Sequence, residues 1–139
     1  NARDKVSYLY ELEYLTLARL LLIQGQADQV IALLERLRQA AVVGERGGRL
    51  LEVLVLQALA YQARNERSQT LACLEQVLTL AETEGYLRLF LDEGQPLIAL
   101  LTEVRDSLSA PHQAYIDILL TAYRQEQENL HPSSPILHP

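Results

Sequence analysis

The feature that most constrains the fold is an internal repeat with a period of about 40 residues. When the chain is shifted on itself by this distance, residues 17–37 (LARLLLIQGQADQVIALLERL) align with residues 57–77 (QALAYQARNERSQTLACLEQV). Small residues recur at positions 18 and 58, large apolar residues recur at 34 and 74, and Gly25 recurs as Asn65. Glycine and asparagine both tolerate the left-handed backbone of a helix end. The repeat therefore predicts two copies of a helical hairpin.

Hydrophobic periodicity predicts helices on both sides of each turn and no strand of useful length. Apolar residues recur at three- and four-residue spacing over residues 4–24 and again over 30–41. The third helix, residues 49–64, is apolar almost all round and is expected to be covered on more than one side. A fourth helix is predicted to begin with Ser68 as its cap. Cys73 lies in its apolar pattern and is predicted to be a small core residue.

Residues 85–101 (GYLRLFLDEGQPLIALL) place charged side chains among large apolar ones. Gly94 and Pro96 predict that a short helical turn of residues 86–91 ends there, because neither residue suits a helix interior. Pro96 suits the first turn of a new helix, and that helix is predicted to continue through Leu108.

The charged residues of this segment have two interpretations. Asp92 and Glu93 would precede the new helix, where exposed N–H groups favour negative charge. Arg88 lies one helical turn before Asp92 and is placed to pair with it. Helix-start chemistry thus accounts for the segment as a structural joint, and an effector-binding site is the alternative. The helix-joint motif consists of Arg88, Asp92, Glu93, Gly94 and Pro96.

The two hairpins resemble tetratricopeptide repeats in their order of small, bulky and turn residues. They depart from that pattern because they lack the early aromatic residue of the first helix and the proline after the second, and because the period exceeds about 34 residues. The phrase at residues 85–96, preceded by the patterns at 51–60 and 72–82, resembles the region ahead of the DNA-binding domain in LuxR-type transcriptional regulators of the MalT class. That resemblance covers residues 17–101. It implies a STAND-type signal-transduction ATPase and a helix-turn-helix elsewhere in a parent chain.

The predicted fold is all-α, a tetratricopeptide-like superhelix of about seven helices. Residues 1–128 form the predicted helical domain, with a last helix over residues 111–127, and residues 129–139 read as a Pro/Ser linker. None of the 139 residues is methionine, which predicts a segment of a longer polypeptide.

Composition excludes several function classes for this segment. The net charge of −6 argues against binding of a nucleic-acid backbone by this segment. The arginines at positions 36, 38, 46 and 49 are interpreted as part of a solvated loop rather than as an anion-binding site. A single cysteine excludes an internal disulfide and favours a reducing cytoplasm. The most apolar run, residues 50–60, is too short to span a membrane. Because no acid–base pair, metal-ligand spacing or phosphate loop is visible, we predict no catalytic residue, metal or cofactor here.

The MalT-class resemblance implies a non-catalytic scaffold that couples signal binding to DNA binding carried elsewhere. A small-molecule inducer or a partner protein would occupy the concave face and shift the parent chain toward a state that oligomerises and binds DNA. Other partners would be the ATPase and helix-turn-helix domains. A general protein-interaction module unrelated to transcription is the alternative, and only residues 85–96 separate the two. The concave lining is predicted from first-helix positions: Arg19, Leu22, Ile23, Gln26, Leu59, Gln62, Ala63 and Glu66.

The sequence also leaves self-association as a possibility, because a segment cut from a repeat array exposes apolar end faces. Tyr10 and Tyr14 share one face of the first helix at i, i+4 spacing. That face is either part of the core or the surface that met preceding repeats.

Overall fold

The computed structural model describes the backbone of residues 2–43, 47–84 and 86–130, and the side chains of residues 13–39, 50–83 and 86–130. Seven α-helices and one short 3-10 turn make up the regular structure of these residues, and they contain no strand. This confirms the all-α fold class. The helices are α1 (Ala2–Ile23), α2 (Ala27–Val43), α3 (Gly47–Ala63), α4 (Arg67–Glu84), α5 (Leu87–Glu93), α6 (Gln95–Val104) and α7 (Ala110–Leu130), with the 3-10 turn at Arg105–Ser107.

The chain divides into two compact units, Asn1–Thr83 and Glu84–Pro139, and each is described by itself. The first unit contains the two predicted hairpins, α1–α2 and α3–α4. The second contains α5, α6 and α7, and the segment of residues 85–101 includes α5 and most of α6.

The turns of the two hairpins in the first unit are structural copies of each other. Gly25 and Asn65 both adopt a left-handed backbone, with φ of +78° and +61°. In each turn two amide N–H groups donate back into the preceding helix, which is the Schellman arrangement that closes many helices. The N···O distances are 2.9 to 3.1 Å for Gly25 to Leu22, Gln26 to Leu21, Asn65 to Gln62 and Glu66 to Tyr61. The repeat seen in the sequence is therefore present in individual backbone hydrogen bonds.

The second helices also begin in the same way, and this corrects the prediction for Ser68. The N–H of Thr70 donates to the carbonyl of Glu66 at 3.1 Å, so α4 begins at Arg67 and Ser68 lies inside its first turn. The helix begins early because the Schellman bonds leave Glu66, rather than Ser68, as the residue directly before it. Arg64 of this turn lies 3.2 Å from Asp28 of α2, which ties the second turn to the first hairpin.

Substitution of Gly25 tests how much the left-handed backbone of this turn contributes to stability, separately from side-chain packing. We expect Gly25→Ala to lower the free energy of unfolding by about 1–2 kcal/mol, because a left-handed backbone costs an alanine roughly that much. No atom lies within 4 Å of the position that a Cβ would take, so a clash does not contribute. Gly25→Asn, which copies the second turn, is the matched control and should cost less. Urea unfolding measures both, and equal stability of Gly25→Ala and the native chain would contradict this account.

Helix α3 forms the centre of the first unit. It packs against both α1 and α2, and every residue from 53 to 60 is buried. Ala18 of α1 and Ala58 of α3 are fully buried at equivalent positions of the repeat, where small side chains allow helices to approach closely. The prediction that this helix is covered on more than one side is confirmed.

The second unit joins three helices through Gly94 and a 3-10 turn. Gly94 ends α5 and begins α6 with φ +78° and ψ −155°, a conformation nearly restricted to glycine. Pro96 lies in the first turn of α6, as predicted. The prediction that α6 continues through Leu108 is wrong: α6 ends at Val104, and Leu108 is extended. The N–H of Leu108 donates to the carbonyl of Arg105, which closes the 3-10 turn and keeps the Leu108 side chain buried.

The core of the second unit collects apolar residues from α5, α6 and α7. The Phe90 ring of α5 meets the Tyr115 ring of α7 edge to face, with centroids 6.0 Å apart. Helix α7 extends to Leu130, so residues 129 and 130 of the predicted linker are helical, and residues 131–139 lie outside the described part. The other buried apolar side chains of this unit are Leu91, Leu97, Ile98, Leu100, Leu101, Val104, Leu108, Ile116 and Leu119.

Candidate functional site

The helix-joint motif is organised around Arg88. Its Nε donates to Asp92 Oδ1 at 2.9 Å, which is the pairing predicted from their spacing. Its Nη1 and Nη2 donate to the two carboxylate oxygens of Glu126 in α7, each at 2.7 Å. Three nitrogens of one guanidinium are thus engaged by carboxylates of the same chain. The sequence interpretation missed Glu126 because it lies 38 residues away, where spacing carries no signal.

Asp92 and Glu93 form the last turn of α5 and directly precede Gly94 and α6. Asp92 and Glu93 therefore precede a new helix, as predicted, but they are also the last two residues of α5. Negative charge is unfavourable beside the free carbonyls of a helix end. The bond from Arg88 to Asp92 offsets that repulsion for one of the two carboxylates.

A second arginine holds α7 in the same manner. Arg105 of the 3-10 turn donates through Nε and Nη2 to the two oxygens of Asp117, at 2.8 and 2.7 Å. The hydrogen bond from Arg105 lowers the pKa of Asp117. Likewise, the hydrogen bond from Arg88 lowers the pKa of Glu126. Helix α7 is therefore held at two carboxylates that lie nine residues apart. Because the pKa of each carboxylate is lowered, both ion pairs are fully charged at neutral pH.

Arg88→Lys tests the paired geometry of the first clamp. We expect a lower melting temperature near pH 7, because a lysine ammonium cannot bond both oxygens of Glu126. The pKa of Glu126 is lowered in the folded state. Its contribution to stability is therefore complete above the ordinary carboxyl pKa of about 4.3 and is lost as the pH falls through the folded value. The difference between Arg88→Lys and the native chain should accordingly shrink in acid.

Thermal unfolding followed by circular dichroism from pH 7 to pH 2 measures this difference. Arg124→Lys makes the same substitution at an exposed position of α7 and should leave the melting temperature nearly unchanged. A loss for Arg88→Lys that persists unchanged in strong acid would show that the ion pair does not cause it.

The residues predicted to line the concave face occupy equivalent positions of the two hairpins. Six of them lie in α1 and α3, and Gln26 and Glu66 lie in the turns that follow. Ile23, Gln26 and Ala63 are exposed, whereas Leu59 is buried at 8 %. Leu59 therefore offers little surface to a partner, since α3 is covered on more than one side. The half-exposed members of the set are Arg19, Leu22, Gln62 and Glu66.

Ion pairs hold two of these surface residues in place. Arg19 Nη2 lies 3.4 Å from Glu52 Oε2, which links α1 to α3. Glu66 Oε2 lies 3.0 Å from Arg64 Nε, although the geometry there is not that of a hydrogen bond. The polar members of the set are at least partly exposed, whereas Leu59 is buried in the core.

The interior of the first unit holds polar groups that the sequence interpretation did not find. Gln57 of α3 is 2 % exposed, and its Nε2 donates to Glu35 Oε2 of α2 at 3.2 Å. Cys73 is buried, as predicted, and burial raises its pKa to about 11. Burial also raises the pKa of Tyr61. The Cys73 thiol is therefore protonated at neutral pH, which is not the state of an activated nucleophile.

An open groove of about 480 Å³ lies between α2, α3 and α4, away from the predicted first-helix positions. Arg38, one of the arginines near the glycine-rich link, reaches this groove and lies 3.4 Å from Glu35. The side chains of Arg46 and Arg49 lie outside the described residues. The other residues that line the groove are Leu50, Leu54, Glu75, Gln76, Thr79 and Leu80.

The described residues provide neither a metal site nor a membrane span. Among them, no group of three or more His, Cys, Asp and Glu side chains is arranged to hold a metal ion. No helix within the described ranges is both long and apolar enough to cross a membrane. His131 and His138 of the tail lie outside those ranges.

Comparison with known proteins identifies the family of the chain. No curated protein and no solved structure matches the chain. A family described as the MalT-like TPR region matches residues 1–107, which include both hairpins and the helix-joint motif. This match covers well over half of the 139 residues. The chain belongs to the MalT-like TPR region family.

Proposed function

We propose that this chain is a non-catalytic scaffold segment of a larger LuxR-type transcription regulator, in which it couples signal binding to DNA binding carried elsewhere in the parent chain. The family match over residues 1–107 is the observation that carries the proposal. The parent chain would supply the ATPase and the helix-turn-helix and would act in the cytoplasm. The segment itself needs no cofactor for this role and does not contact nucleic acid.

The surface that receives the signal is the first-helix face near the two repeated turns. It combines exposed apolar and polar side chains that the hairpins present at equivalent positions. Adjacent repeats can in this way present a repeated set of contacts to an elongated partner or a small-molecule inducer. The residues of this face are Arg19, Leu22, Ile23, Gln26, Gln62, Ala63 and Glu66.

The helix-joint motif has a structural role in this proposal. Arg88 is engaged by Asp92 and Glu126, so its guanidinium is already committed to carboxylates of its own chain. Gly94 supplies the backbone conformation that lets α6 follow α5 at once. In this proposal the motif sets the direction of α6 after α5 and does not bind an effector.

The reading frame after Pro139 tests the regulator proposal directly. A helix-turn-helix pattern within a few tens of residues is the expected finding. A stop codon, or a domain of another kind, would contradict the role in transcription and leave a general interaction module of tetratricopeptide type.

Replacement of two exposed alanines by arginine, one on the proposed signal surface and one away from it, tests the location of that surface. Ala63 of α3 and Ala72 of α4 are both exposed, but only Ala63 belongs to the proposed face. In the full-length parent protein, Ala63→Arg is expected to weaken the induced response of a reporter gene by about tenfold or more, since a charge without a partner at an interface costs over about 1.4 kcal/mol. Ala72→Arg should leave the response intact. Equal effects of the two substitutions would place the signal surface elsewhere.

A further inference from the structure

Helix α7 is attached unevenly to the rest of the second unit. It packs against α5, α6 and the 3-10 turn. Its two buried side chains, Ile116 and Leu119, lie in its first half, where Tyr115 also meets the Phe90 ring. No side chain from residue 120 to residue 130 is buried, although some are half-buried. The second half of α7 therefore has few of the apolar contacts that hold the first half in place.

One ion pair ties this second half to the rest of the unit. Arg88 of α5 donates through Nη1 and Nη2 to the two oxygens of Glu126, each at 2.7 Å. Within the described part of the chain, Glu126 is the only residue from 120 to 130 whose side chain bonds to another helix. The side chains of Arg88 and Glu126 are 59 % and 32 % exposed, so water and dissolved ions reach the pair. Exposed ion pairs contribute little stability, and paired geometry such as this places them at the upper end of their range.

Arg88 has a second acceptor within its own helix. Its Nε donates to Asp92 Oδ1 at 2.9 Å. If Glu126 moves away, this bond remains and both separated groups are solvated, so opening leaves no buried charge without a partner. If Arg88 is absent, the carboxylates of Asp92 and Glu126 lie near each other without a cation and repel. Arg88 therefore determines whether the end of α5 attracts or repels the second half of α7.

The two ion pairs of α7 differ in the packing around them. Asp117, the partner of Arg105, directly follows the buried Ile116. Glu126 has no buried neighbour within one helical turn on either side. Both arginines lie within residues 1–107, which match the family, and both carboxylates lie beyond them. The first half of α7 is thus fixed to the family region by packing and charge together, and the second half chiefly by charge.

We propose that residues 120–130 of α7 form a releasable strap, which Arg88 latches to α5 and which opens while the first half of the helix stays docked. The strap comprises about three helical turns. A partner that binds the open form shifts the population toward release, and the core of the second unit remains folded. The strap is thus a conformational device at the boundary between the family region and the residues that follow α7. The inference rests on the contacts of the second unit and does not require the role in transcription.

Hydrogen exchange of the parent polypeptide, followed by mass spectrometry, tests the proposal. Arg88→Gln removes the cation that holds the strap, and Arg124→Gln removes an equal charge from an exposed position of α7. We expect Arg88→Gln to speed exchange of residues 123–130 about fivefold, the upper effect of an exposed pair, and to leave residues 113–119 unchanged. Arg124→Gln should change neither rate.

A charge swap and added salt separate the ion pair from other effects of the substitution. The double variant Arg88→Glu with Glu126→Arg exchanges the two charges, so the strap should return close to its native exchange rate. In the native chain, raising KCl from about 0.05 M to about 1 M should speed exchange of the strap, because salt screens exposed charges. The same salt should affect Arg88→Gln much less.

Any of three results would overturn the proposal. Native exchange rates of the strap in Arg88→Gln would show that the pair does not latch it. Equal acceleration in both halves of α7 would show that the whole helix opens at once. A charge swap that fails to restore the strap would assign the effect of Arg88 to its packing rather than to its charge.

Discussion

Replacement of Phe90 by alanine is expected to lower the free energy of unfolding of the second unit by about 3–5 kcal/mol. The Phe90 side chain is completely buried and meets Tyr115 edge to face across α5 and α7. It also anchors a helix of only seven residues, which is too short to be stable without tertiary contacts. Its loss therefore removes a large buried surface and the ring contact that joins α5 to α7.

Phe90→Leu is the matched control, because it keeps an apolar side chain and leaves a smaller cavity. Urea unfolding gives the two free energies, and hydrogen exchange of α5–α7 localises the loss to the second unit. A change below about 1 kcal/mol for Phe90→Ala would mean that the site collapses freely, and it would contradict a packed core at this position.

Leu34→Ala and Leu74→Ala are expected to destabilise the first unit by about 2–5 kcal/mol each. The two leucines occupy the same position of the second helix in the two hairpins, and both are completely buried. Since the surrounding small and large residues also recur, the two cavities should be similar, and the two losses should agree within about 1 kcal/mol.

Leu17→Ala is the control for this pair, because it removes the same atoms from a leucine that is 41 % exposed. It should cost well under half as much in this chain. Urea unfolding of the three variants measures all of these values. Losses for Leu34→Ala and Leu74→Ala that differ by several kcal/mol would show that the repeat is a similarity of sequence without a similarity of packing.

Features that depend on neighbours in sequence were predicted well. The left-handed turns at Gly25 and Asn65, the break at Gly94 and the Arg88–Asp92 pair all involve groups within about one helical turn. The prediction for Ser68 failed even at this range, because the hydrogen bonds of the preceding turn, rather than the preference of serine for caps, decide where α4 begins. The end of α6 was also misplaced, since burial of Leu108 favours an extended residue over a further helical one.

Features that depend on distant residues were not predicted. The bonds from Arg88 to Glu126 and from Arg105 to Asp117 cross between helices, and so does the buried pair of Gln57 and Glu35. The sequence offers each arginine several acidic residues as partners, and only the packing of α7 selects among them. Leu59 was assigned to a binding surface although the apolar pattern of α3 already predicted that more than one of its sides is covered. Only the tertiary structure shows that Leu59 lies on a covered side.

Periodicity, the repeat and the turn residues were enough to establish an all-α chain of two equivalent hairpins, since helices and their ends are set by interactions over a few residues. The resemblance of residues 85–96 to the MalT class could likewise be recognised from the sequence alone. Tertiary packing, in contrast, determines that Leu59 is buried and that Glu126 and Asp117 are the partners of Arg88 and Arg105. These features depend on the distances between residues of different helices, and those distances cannot be deduced from the spacing of the residues along the chain.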